Sequence, residues 1–101
     1  MASVQAPTPS INPMAEDAYW RHAFRDEPYV QPELSYDDYG PAYRVGYTGP
    51  VRREGSFNAL EHALQQDWNQ VKGRSRLDWK EAKQATRAAW ERVTESSSHA
   101  A

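Results

Sequence analysis

Residues 67–79 read DWNQVKGRSRLDW, and how this stretch is read decides the fold. Trp68 and Trp79 stand at its two ends, and Trp90 follows at the same spacing of eleven. Eleven helical residues turn through about 1100°, some 20° past three full turns. One uninterrupted helix would therefore line the three indoles along a single stripe. Gly73 argues against that, because glycine is the residue best suited to the left-handed position just past a helix end. Five residues later Asp78 reads as an N-cap with Glu81 at N3, a carboxylate variant of the capping box. Stop and start signals this close predict an antiparallel helix–turn–helix pair over about 57–72 and 79–95.

Working outward, Phe57, Leu60, Leu64, Trp68 and Val71 recur at spacings of 3, 4, 4 and 3, one face of a helix. Ser56 reads as its N-cap, although Ala59 at N3 denies it a reciprocal partner. On the other side Trp79, Ala82, Thr86, Ala89, Trp90 and Val93 mark a second face, and Ala82, Ala85, Ala88 and Ala89 are strong helix formers. Antiparallel packing puts Trp68 and Trp79 near the turn with Val71 and Leu77. It puts Trp90 about 16 Å along its helix, against Phe57 and Leu60, with the alanines letting the helices close around Leu64. The expected core is Phe57, Leu60, Leu64, Trp68, Val71, Leu77, Trp79, Ala82, Trp90 and Val93.

The first half has different chemistry. All six tyrosines lie between 19 and 47, whereas three of the four tryptophans lie between 68 and 90. A tyrosine ring buries area while its hydroxyl bonds at the edge, which suits a Tyr/Pro-rich segment, 15–55, wrapped around the hairpin with one or two short helices. Glu16 to Phe24 is expected as one of them, with Tyr19, Trp20, Ala23 and Phe24 inward. Pro28 and Pro32 favour extended chain through Tyr29-Val30. Asp38 is expected to cap a second helix with Pro41 at N3, where a missing N–H is harmless. Tyr39, Tyr43 and Tyr47 then stack, Gly46 ends the helix, and Gly49-Pro50 turns the chain. Residues 1–14, with Pro7, Pro9 and Pro13, read as a disordered leader, and 96–101 as a disordered polar tail. The expectation is one all-α domain over 15–95.

The pattern Ser56-Phe57, Glu61, Leu64, Asp67-Trp68, then Ser75, Leu77, Trp79, Ala82, Ala85, Arg87, Ala89-Trp90 and Arg92, preceded by Asp38-Tyr39 to Gly46, resembles a module of small, uncharacterised bacterial stress-associated proteins. The resemblance covers about residues 36–93 and implies an accessory protein with no assigned activity. Trp68-Asn69-Gln70-Val71-Lys72-Gly73 is also similar to the Trp-Lys-Gly runs of CsbD-like general stress proteins, although the tandem form of that pattern is absent.

Several functions are disfavoured by composition. The chain has no cysteine, which excludes disulfides, thiol catalysis and Cys-ligated zinc. It has no secretory h-region and no apolar run of about 20 residues. A cytoplasmic protein is expected. His22, His62 and His99 are isolated and match neither Glu-x-x-His nor His-Glu-x-x-His metal patterns. The carboxylate pairs Glu16-Asp17, Asp26-Glu27 and Asp37-Asp38 are adjacent in sequence, which points helical side chains about 100° apart. No nucleophile elbow or phosphate loop is present. No enzyme activity, metal or cofactor is expected.

The favoured function is a helical interaction or stress-accessory module that meets a protein partner or a second copy. Tyr39, Tyr43, Arg44 and Tyr47 are its candidate exposed contacts; the equal alternative is that these tyrosines pack on the hairpin. Charge supplies a second class. Residues 1–50 hold three basic and seven acidic side chains, and residues 51–101 nine and seven. Lys72, Arg74, Arg76, Lys80, Lys83 and Arg87 near the turn are candidate nucleic-acid contacts.

Overall fold

The computed structural model describes residues 11–99. They form α1 (Pro13–Ala23), a short 3-10 helix (Phe24–Asp26), α2 (Tyr36–Arg52), α3 (Phe57–Val71) and α4 (Trp79–His99). The domain is all-α, with no strand among the described residues.

The hairpin signals operate as read. The Ser56 hydroxyl accepts the Ala59 N–H at 3.1 Å. Asp78 and Glu81 exchange bonds, each carboxylate accepting the other's backbone N–H at 2.8 and 3.0 Å. Gly73 takes a φ of +53°. Phe57 meets Trp90 edge to face at 5.7 Å between ring centroids, and Trp68 meets Trp79 at 5.9 Å near the turn. Between these ends Glu61 accepts from the Trp79 indole at 3.2 Å and pairs with Lys83 at 3.0 Å.

Helix α2 departs from the expectation of a wrapping segment. It is 17 residues long and central, packed by α1, α3 and α4. Its N-cap is Ser35, not Asp38; Asp38 stands at N3, where its carboxylate accepts the Ser35 backbone N–H at 3.0 Å. Pro41 therefore falls inside the helix, and so does Pro50. Gly46 and Gly49-Pro50 neither end nor turn it. Each proline removes one donor and keeps a helical φ, a local loss that burial along the helix offsets. Before it, Val30 N–H bonds Glu27 O and Leu34 N–H bonds Gln31 O, so residues 27–34 form turns where extended chain was expected.

The tightest interface joins α2 to α4. A Cβ added to Gly46 would lie 2.2 Å from the Thr86 carbonyl oxygen and 2.8 Å from the Ala89 Cβ. Thr86 donates its hydroxyl to the Ala42 carbonyl at 3.0 Å. Ala82, Ala85 and Ala89 are fully buried along this contact. The alanines expected to let α3 and α4 close around Leu64 serve α2 instead. Small residues on both faces bring the two backbones together, and the larger side chains are left to the rims.

Of the expected core, Phe57, Leu64, Trp68, Leu77, Ala82, Trp90 and Val93 are buried, and Leu60 and Trp79 are half-buried at its edge. Val71 is not in it: the last residue of α3 is 47% exposed. The chain leaves α3 through Gly73 toward the start of α2, where Ser75 and Arg76 are bonded to Asp38, and carries cover away from Val71. Tyr19, expected inward, is 41% exposed under the Arg92 guanidinium, 3.6 Å from its ring centre.

Residues 11–14 belong to the domain. The Asn12 side chain accepts from Met14 and Ala15 N–H at 3.0 and 3.2 Å to cap α1, and Ile11 packs on the core. At the other end α4 continues past Glu95 through His99. The rest of the expected disordered leader and tail, residues 1–10 and 100–101, lies outside the described residues.

Candidate functional site

The tyrosines proposed as exposed contacts are core residues. Tyr39, Tyr43 and Tyr47 are 1%, 0% and 4% exposed, and of the four candidates only Arg44 is exposed. The Trp20 indole stacks on Tyr43 at 4.4 Å and 10° between planes. The hydroxyls find partners at the edge of this cluster: Tyr29 and Tyr43 share a bond of 2.8 Å, Tyr36 donates to Asp17 at 2.9 Å, and Tyr39 accepts the Gln31 N–H at 2.9 Å. Burial first, then these bonds, raises Tyr29 and Tyr36 well above the ordinary phenol range. Tyr43 is raised by burial as well. All three stay neutral, so this cluster holds the fold together and offers no acid or base near neutral pH.

Asp38 is the one buried carboxylate among the described residues. The Arg76 guanidinium donates to it twice, at 2.7 and 3.1 Å, and the Arg76 backbone N–H donates at 3.0 Å. Ser75 donates its hydroxyl to the Asp38 carbonyl at 2.6 Å. One residue thus completes the cap of α2 and ties it to the α3–α4 turn. Arg76 foremost, opposed by burial and helped by the Ser35 and Arg76 amides, holds the carboxyl well below the usual carboxylate range.

A depressed folded-state pKa contributes stability that is fully present above the unfolded value, about 4, and is lost as pH falls below it. Asp38→Asn is therefore expected to lower stability near pH 7 by about 2–3 kcal/mol. That is less than for a fully buried pair, because the Arg76 side chain is 61% exposed and rehydrates. Urea midpoints measured between pH 7 and 2 check it: the variant's acid limb should be flatter than the parent's. Parallel limbs would show that the tie does not form in solution.

The basic residues proposed for nucleic acid do not assemble into one free patch. Arg76 is held by Asp38, Lys83 pairs with Glu61 at 3.0 Å, and Arg87 pairs with Glu91 at 3.4 Å while lying over Phe57. The Lys72 ammonium sits 5.1 Å from the Trp68 ring centre. Arg74 and Lys80 alone of the six are exposed with no ion pair among the described residues.

A different surface stands out. Helix α1, helix α2 and the end of α3 border an open groove of about 580 Å³. Asp37, Gly40, Pro41 and Arg44 form its floor along α2, over Tyr36 and Tyr47. Met14 and Asp17 line it from α1, and Val71 lines it from α3. Met14 is 83% exposed and Val71 47%, so two large apolar side chains face solvent at one concavity. Arg21 and Asp17 on the α1 side pair with each other at 3.3 Å. Among the described residues no cluster of three or more His, Asp or Glu side chains is arranged to hold a metal ion, and no helix is long and apolar enough to cross a membrane.

Comparison with protein-family models, with curated proteins and with solved structures finds no match for this chain. The groove is carried by its geometry alone. Sequence reasoning missed it because Met14 read as leader and Val71 as core.

Proposed function

We propose that this chain is a non-enzymatic, cytoplasmic helical interaction module of the stress-accessory kind, which meets a protein partner at the groove between α1, α2 and the end of α3. The exposure of Met14 and Val71 at the same concavity carries the reading. Exposed apolar side chains grouped at a groove are a mark of a contact surface, whereas scattered ones are not. The groove takes the role first given to the tyrosines, and Arg44 stays in it. The stress-associated setting rests on the family resemblance of residues 36–93.

Affinity capture with the parent chain and with a Met14→Glu/Val71→Glu double variant tests the groove. Both positions are exposed, so the variant should fold like the parent. Partners captured by the parent from stressed or unstressed source cells should be lost from the variant. Retention of the same partners at the same yield would remove the groove from the interaction. Slower recovery of a deletion strain after osmotic or oxidative challenge is the expected sign of the stress role. A nucleic-acid role is left with Arg74 and Lys80, and no binding to single- or double-stranded DNA at low salt removes it.

A further inference from the structure

We infer that the groove receives one amphipathic helix of a protein partner, with a basic side chain set beside Asp37 and an acidic one beside Arg44. The inference rests on the groove being the interaction surface. It starts from the state of α2. Its other faces are buried against α1, α3 and α4, while Asp37, Gly40, Pro41, Arg44, Thr48 and Val51 form one exposed or half-exposed stripe. A central helix open along a single stripe, with a neighbour on each side, is a bundle one helix short. At Gly40 the floor is closed by the Tyr36 ring, 3.2 Å from where a Cβ would stand, and Pro41 adds only a compact ring, so no long side chain stands in the way of a second helix there. Helix-in-groove docking uses this shape.

Charge then states what the occupant carries. Asp37 and Arg44 are exposed and make no ion pair among the described residues, whereas the Asp17–Arg21 pair on the α1 side neutralises itself. The unmatched charges stand two helical turns apart, about 10.5 Å, negative at the start of α2 and positive beyond. Pro41 has no N–H to give the Asp37 carbonyl, which adds an acceptor at the negative end and favours a multi-donor Lys or Arg there. On the groove's other walls Met14 and Val71 call for apolar side chains, and Met14 adapts its shape to them. A second copy could match these charges by pairing its own Asp37 and Arg44 antiparallel to them, but two identical hollows would then face each other across an uncovered floor.

Three synthetic alanine-based helical peptides test this against the full chain. Each carries two leucines between charged positions seven residues apart, the charges being Lys/Glu, Lys/Lys or Glu/Glu. The parent chain is expected to bind the Lys/Glu peptide about fivefold more tightly than the others, from two rim charge pairs of modest strength. Arg44→Glu should shift the preference to Lys/Lys. Equal binding of all three peptides, with loss on Met14→Glu/Val71→Glu, overturns the charge assignment and leaves the groove as the interaction surface. Peptide binding unaffected by the Met14 and Val71 changes, or no peptide binding at all, overturns the occupant. If partner capture also survives those changes, the proposed function falls with it. A parent chain that sediments as a dimer, made monomeric by Arg44→Glu, overturns the partner helix in favour of a second copy.

Discussion

Gly46→Ala is expected to destabilise the domain by about 3 kcal/mol, and Gly46→Val by more. Helix propensity predicts the opposite sign for the first change, because alanine is better than glycine in a helix interior by about 1 kcal/mol. Packing decides. The new methyl would sit 2.2 Å from the Thr86 carbonyl oxygen, a backbone atom that cannot swing aside, and 2.8 Å from the Ala89 Cβ. Relief requires α2 and α4 to move apart along the interface that also holds the Thr86–Ala42 bond and the buried alanines. Overpacking of this kind costs about 1–3 kcal/mol even where side chains can yield, and here a backbone must. A domain of this size has about 5–13 kcal/mol of stability in total. Gly40→Ala is the control: its Cβ would meet only the Tyr36 ring, at 3.2 Å, and a change within about 1 kcal/mol is expected. Urea denaturation followed by far-UV circular dichroism measures all three. A Gly46→Ala protein as stable as the parent would mean that the two helices lie further apart than described.

Trp90→Ala comes next in size, at about 3–5 kcal/mol. The indole is 6% exposed. It meets Phe57 of α3 edge to face, and it covers Gly49 of α2 so closely that a Cβ there would lie 2.7 Å from its Cζ3 atom. Leu64 borders the same space, 3.2 Å from that position. Removing the ring opens a cavity between three helices at once, and glycine has no side chain with which to fill it. Loss of near-UV dichroism together with a reduced urea midpoint is the expected result. An unchanged midpoint would place the indole on the surface, free to contact a partner.

These two residues show what was legible in the sequence and what was not. Trp90 was: the spacing of eleven, the Gly73 stop and the Asp78–Glu81 cap all act locally, and local signals survive into the fold. Gly46 was misread as a helix end because glycine has two uses, freedom at a terminus and absence of a side chain at a contact. Choosing between them requires knowing that Thr86 and Ala89 lie opposite. Asp38 was misread for a similar reason. Ser35-x-x-Asp38 and Asp38-x-x-Pro41 are both acceptable starts, and the partner that favours the first, Arg76, is 38 residues away. The groove was invisible because exposure at Met14 and Val71 depends on where three helices stop.

The order in which the helices pair also has a kinetic consequence. Helical proteins fold fast when their contacts are local. Here the Thr86 hydroxyl bonds the Ala42 carbonyl across 44 residues, and Glu16 reaches Arg92 across 76. The alanine face of α4 is covered by α2, not by the neighbouring α3, so chain closure over a long loop must precede burial of the tightest surface. The expected folding rate is that of a mixed α/β domain more than that of a helical hairpin, and a fragment holding only α3 and α4 would emerge with its alanine stripe bare.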